Sequence, residues 1–301
     1  MNDPRPIEEL IACGFLHPVD GSTSLPSAYV FASLKRQSAQ SLVWIKSAAH
    51  YELIEQGMVI LADTVYRELD AQGKLKPHVV HLLATGLTPR MAFIRLLNHV
   101  HLPVIDQRNY AADHRAKGIA VFDGAFIGAN VRIGAGTVVY PNVVIHEGVT
   151  IGQNCVVREN TCLGTFGMGF EQDDQGHWVR FPQIGGLIIG NDVEIGSHSD
   201  IKRAALDDTL VGDACKLGSY VNIGHNCIVG DHSLFTVRCI VGGSSVIGRN
   251  FFMGMNASIK NGVNVGDNVT LGAHSFLNKN AESDATYIGT PAVLVSRKNE
   301  Q

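Results

Sequence analysis

His225 is one of 13 histidines in the chain, and its setting gives it the means to do chemistry. It lies in IGHNCIVGD (residues 223–231), and eighteen residues on, in IVGGSS, the matching position is Gly243. An imidazole can take a proton from an attacking nucleophile, and a peptide N–H with no side chain around it can donate to a developing oxyanion. If eighteen residues close one turn of a repeating coil, the two groups stand one above the other, which is the arrangement acyl transfer needs. Position alone leaves a plain surface histidine open. The six cysteines, with no CxxC pair and no dense framework, read as reduced thiols.

The element that must position such a pair is a repeat. Stepping by six from Val211 gives Leu217, Ile223, Val229, Phe235, Val241, Ile247, Met253, Ile259, Val265, Leu271 and Leu277, every one apolar. An earlier run in one phase holds Val121, Ile127, Ile133, Val139, Ile145, Ile151, Val157 and Leu163, and a short middle run holds Ile189, Ile195 and Ile201. A period of six is neither the 3.6 of a helix nor the alternation of an extended sheet. It fits a solenoid in which each hexad forms one side of a triangular coil, with coils about 4.8 Å apart paired as in a parallel sheet. The residue after the inward one is often glycine, as at Gly134, Gly196 and Gly224, which predicts a bend using glycine's backbone freedom. Cys155, Cys215, Cys227 and Cys239 fall four places after the inward residue and read as buried packing thiols.

Two interruptions stand out. Residues 164–188 (GTFGMGFEQDDQGHWVRFPQIGGLI) leave the repeat as an extruded loop, and KRAALDDTL adds four residues to the corner between Ile201 and Val211. Long ordered loops on a rigid scaffold often carry function. Ahead of the repeat, LVWIK (42–46), MVIL (58–61) and VVHLL (79–83) read as short strands. TPRMAFIRLLNHV reads as a helix with Thr88 as N-cap and Pro89 at its first position. The division expected is an α/β domain over 1–110, the coil over 111–280 with the loop 164–188, and a tail over 281–301. A net charge of -4 from 24 basic and 28 acidic residues gives no overall pull toward nucleic acid. The opening MNDPRPIEEL carries acidic residues where a secretory signal needs positive charge, and no apolar run of membrane-spanning length follows, so a cytoplasmic protein is expected.

From FDGAFIGANVRIGAG to GTPA the chain resembles the UDP-3-O-acylglucosamine N-acyltransferase family of the lipid A pathway, within the hexapeptide-repeat acyltransferases. The loop 164–188, the corner IKRAALDDT and IGHNCIVGD carry that resemblance over residues 120–290, and SLVWIKSAAHYELI with TPRMAFIRLLNHV extends it weakly into a uridine-binding domain. It implies a mainly β fold, a left-handed parallel β-helix preceded by a small α/β domain, assembled as a homotrimer with sites between neighbouring helices. His225 would be the general base on the sugar amine, with Asn226 beside it as a substrate contact. The Gly243 amide would hold the oxyanion, and Trp44 and Tyr51 would hold the uracil. A nucleotide-linked amino sugar is the implied acceptor, and an acyl thioester, on acyl carrier protein or coenzyme A, the implied cosubstrate; no permanent cofactor and no metal are implied. The family's Asp-Asn pair one hexad before the base is here Gly218 and Ser219, its second histidine near 261–263 is absent, and Ser47 stands where asparagine is usual.

One alternative, a coenzyme A-dependent N-acyltransferase for O-antigen or another surface glycan, uses the same site. A zinc hydratase resembling the gamma carbonic anhydrases would need histidines five residues apart, a spacing this chain lacks. A non-catalytic sugar-nucleotide-binding β-helix is the third.

Overall fold

The computed structural model describes residues 4–19, 25–100 and 108–297. The chain divides into two compact units, Met1–Val104 with Gly169–Ile184, and Ile105–Met168 with Gly185–Gln301.

The first unit is built on a six-stranded sheet in the order Arg5–Pro6, Ala28–Phe31, Ser41–Trp44, Gly57–Leu61, Val79–Ala84, Leu16–Pro18. The middle four strands are parallel and the two edges antiparallel. Gly57–Leu61 is buried throughout, as a central parallel strand covered on both faces must be. One face is covered by Asp63–Ala71 and the short helix Ala48–Tyr51, and Val43, Ile45, Tyr51, Ile54, Val59, Leu61 and Leu69 form its core. The helix Pro89–Val100 starts where the sequence places it, with Thr88 Oγ1 accepting from the Met91 N–H at 3.1 Å. Gly169–Ile184, which the sequence reading attaches to the coil, packs instead within this unit: Phe181 lies 6.1 Å from Phe93 and Asn98 Nδ2 donates to the Arg180 carbonyl at 3.0 Å.

The second unit is a prism with three parallel faces. The first face begins with Ala120–Val121 and the second with Phe126–Ile127; the third begins with Arg132–Ile133. Each strand pairs in register with the one a coil later, Asn222 with Ile240 and Ile223 with Val241 for example. All the inward residues of the hexad runs are buried, except Ile133, which is half-buried. The four cysteines join them in the core. The described part of the expected tail joins the first face: Ala285–Ile288 adds in parallel to Thr270–Leu271, and Val293–Arg297 returns antiparallel beside it.

The recurrent glycines are not the bends that the sequence predicts. Gly134, Gly196 and Gly224 do not adopt left-handed backbone; that conformation falls two residues later, at Asn130, Asn142, Asn154, His198, Tyr220, Asn226 and their equivalents. Asparagine tolerates this region better than other residues with a side chain. The recurrent glycines have another cause. A Cβ on Gly196 would lie 2.4 Å from the carbonyl carbon of Gly218 in the next coil, so their absence of a side chain permits stacking at sheet spacing.

Candidate functional site

His225 follows the second-face strand Asn222–Ile223, at the corner leading to the third face. The loop 164–188 leaves after Cys162–Thr165 on that face, and the extended corner follows Asp200–Lys202, also on that face. Both interruptions therefore open on the prism edge that carries His225.

The imidazole is half-buried. Its Nδ1 lies 2.9 Å from Asn226 Oδ1, and among the described residues its Nε2 has no hydrogen-bond partner. The Ala205 N–H, in the extended corner, donates to the same Asn226 Oδ1 at 3.0 Å. A backbone amide can only donate, so the atom facing both groups is the oxygen, and His225 Nδ1 must carry the ring proton. Nε2 is left as the bare acceptor. Asn226 is itself held in left-handed backbone, φ 59°, with its N–H on the buried Thr209 Oγ1 at 2.9 Å. Asn226 thus has its oxygen committed to the imidazole and the corner.

Gly243 lies one coil on, against the ring. A Cβ there would stand 2.8 Å from His225 Nε2 and 3.0 Å from Cε1, so only glycine leaves this space to the imidazole. Among the described residues the Gly243 N–H has no acceptor, while the following Ser244 N–H donates to the His225 carbonyl at 2.8 Å and ties the two coils together. A proton acceptor thus stands against the backbone of a residue whose N–H has no acceptor among the described residues, at a half-open surface.

Gly218 and Ser219 lie at a different corner, between the first and second faces. They line an open cleft of about 470 Å³ with Arg158, Ser197 and Lys216. Within one chain a carboxylate at that corner would not orient His225; Asn226 already does. Asn261 stands above Gly243 on the His225 edge, its amide 2.4 Å from where a Cβ on Gly242 would lie.

Trp44 and Tyr51 do not come together. Tyr51 is 1% exposed, inside the core on the Val43 and Ile45 side of the sheet. Its oxygen accepts from the Lys76 N–H at 2.9 Å, and it bonds His81 Nε2 at 2.6 Å. Burial pushes the Tyr51 hydroxyl up and the His81 imidazole down in pKa, so both stay neutral. Tyr51 therefore has no face to offer a base. Trp44, alternating with Val43 and Ile45, belongs to the opposite face, half-buried, with the Arg90 guanidinium 5.6 Å above its ring. Arg90 also pairs with Glu171 at 3.0 Å. Sequence reasoning missed Arg90, Ala205 and Thr209: a main-chain donor leaves no trace in residue type, although the four-residue slip marked the corner that supplies it.

The class follows from fold and repeat. A model described as bacterial transferase hexapeptide (six repeats) matches residues 124–159, and one described as hexapeptide repeat of succinyl-transferase matches residues 245–279. The UDP-N-acetylglucosamine O-acyltransferase of Moraxella catarrhalis has the same fold, with a TM-score of 0.53 at 24% identity over 61% of this chain and 72% of that one. The second unit is a left-handed parallel β-helix of hexapeptide repeats.

Within that class the chain is a homologue of proteins named UDP-3-O-acylglucosamine N-acyltransferase. It is 38% identical over 164 residues to the one from Herminiimonas arsenicoxydans, covering 54% of this chain and 47% of that protein. It is 48% identical over 84 residues to the one from Dechloromonas aromatica, covering 28% and 24%. The chain spans about half the length of the first of these relatives, or less. No helix among the described residues is long and apolar enough to cross a membrane, and none of the described residues form a group of three or more His, Cys, Asp or Glu able to hold a metal ion.

Proposed function

We propose that this protein is an N-acyltransferase that moves an acyl group from a thioester to the amine of a nucleotide-linked amino sugar, in the cytoplasm. The observation that carries the reading is the bare Nε2 of His225 against the backbone of Gly243, with the opposite ring nitrogen engaged by Asn226. The amine nitrogen attacks the thioester carbonyl and gives its proton to Nε2. The carbonyl oxygen takes the electron pair and lies against the Gly243 N–H. The tetrahedral intermediate collapses to the amide, the C–S bond breaks, and the imidazolium returns its proton to the departing thiolate.

The homologues' name supports UDP-linked 3-O-acylglucosamine as the acceptor class. The donor proposed is an acyl thioester, on acyl carrier protein or coenzyme A. In the first unit, Trp44 is the aromatic we assign to the uracil, without Tyr51. A homotrimer is proposed as the working assembly: Leu234, Val237, Ile240, Phe252 and Met255 leave an apolar strip exposed across the first face, a corner and the second face, which a second copy would cover.

The test is acyl transfer by the full-length protein, followed by mass spectrometry of the product, in wild type and His225→Ala. Loss of roughly 10²- to 10⁴-fold in kcat/KM is expected. Transfer at the wild-type rate by His225→Ala would remove the mechanism. A wild-type protein inactive with every donor, yet retaining the sugar nucleotide, would favour the non-catalytic reading.

A further inference from the structure

Arg203 has no part in the reaction above, and its surroundings are unusual for an arginine. It is 2% exposed, in the extended corner. One guanidinium nitrogen donates to the Glu147 carboxylate and another to the Glu147 main-chain carbonyl, while Phe166 lies 5.7 Å away. Among the described residues its Nε has no partner. A buried cation with a donor left over is a poor source of stability in its own right.

Its route explains it better. Glu147 follows Val144–Ile145 and Arg203 follows Asp200–Lys202, two coils apart on the second face, with Cys162–Thr165 between them. At that middle coil the chain leaves the corner as the loop 164–188, and the Arg203 side chain bridges the place where an ordinary turn would be. The main chain beside it is fixed too: the Arg203 N–H donates to the Thr165 carbonyl at 3.0 Å, the Ala204 N–H to Gly186 at 3.0 Å, and the Gly185 N–H to Ala205 at 3.1 Å. Two residues past Arg203 is Ala205, whose N–H defines which end of Asn226 meets the imidazole.

We infer that Arg203 is a positioning residue for His225: its pair with Glu147 anchors the corner, the corner aims the Ala205 N–H, and that N–H turns Asn226 so that the ring proton stays on Nδ1. Released from Ala205, Asn226 can present its NH₂ group to Nδ1, which favours the tautomer with the proton on Nε2, the form that cannot accept one. The tautomer effect stands on geometry alone; its kinetic consequence rests on the acyl-transfer reading.

The experiment is ¹⁵N NMR of the full-length, histidine-labelled protein, with the His225 signals assigned by their loss in His225→Gln. Wild type should show a protonated Nδ1 and a bare Nε2. Arg203→Met and Asn226→Ala should both show mixed tautomers, and Arg203→Lys should restore part of the wild-type pattern. In the transfer assay Arg203→Met should lose about ten- to a hundredfold in kcat with KM little changed. A folded Arg203→Met with the wild-type tautomer overturns the inference. If Arg203→Met does not fold, Glu147→Gln decides by the same spectrum: mixed tautomers support the relay, and an unchanged spectrum overturns it. A tautomer shift in a protein that transfers no acyl group would leave the relay standing and defeat the proposed function.

Discussion

Gly243 isolates the contact between the two candidate groups more cleanly than any change to the histidine. Its backbone is outside the left-handed region, so alanine fits the local conformation, yet the added methyl would stand 2.8 Å from His225 Nε2. Gly243→Ala should therefore keep its fold, read by circular dichroism, while losing at least about a hundredfold in kcat through displacement of the ring from the amide donor. Full activity in a folded Gly243→Ala would mean the ring and the amide do not act together. Tyr51 makes the opposite case. Residue type and spacing suggest an aromatic for stacking, but its depth in the sheet's core depends on which face residue 51 meets after the turn from Ser41–Trp44. No local pattern in SLVWIKSAAHY reports that.

At the scale of elements, the apolar residue of each hexad was legible because every face of every coil turns the same hexad position into the core. The bends were not. The glycine that often follows an inward residue looks like a turn signal, but its cause lies in the next coil, at Gly218 for Gly196, while the left-handed step falls on asparagine, histidine or even tyrosine. Stacking creates both constraints, and stacking is invisible in a single hexad. The same burial has a chemical readout. Cys215 and Cys227 have thiols pushed up to about 11 by burial, and Cys155 and Cys239 are raised in the same way. Native protein treated with a disulfide reagent should label Cys13 and Cys162, which are only half-buried, and release the other four on unfolding.

The sheet of the first unit carries a pH limit. Burial lowers the His81 pKa below its ordinary 6.5, so the unfolded chain binds this proton more readily than the folded one. Stability from this group is present above the unfolded pKa and is lost as pH falls below about 6.5. Thermal melts should show the first unit weakening between pH 7 and 5, and His81→Gln should flatten that slope. Tyr51→Phe should cost about 1–3 kcal/mol, because it strands both His81 Nε2 and the Lys76 N–H, and should leave sugar-nucleotide binding unchanged.

For the whole molecule, the division of the chain was only partly readable. The change from mixed elements to hexads is plain in the sequence, but Gly169–Ile184 belongs with residues far upstream of it, through contacts such as Phe181 with Phe93 that no periodicity announces. The strand before His225 is the fifth of eight on its face, with coils stacked on either side. In a stack held by nearest neighbours, opening begins at the ends and travels inward. Hydrogen exchange should release the amides near Val121 and Leu277 well before those flanking Ile223, and equal rates along the stack would contradict it. Fraying then reaches the imidazole last, so warming that loosens both termini of the prism should leave turnover intact until the whole rod melts.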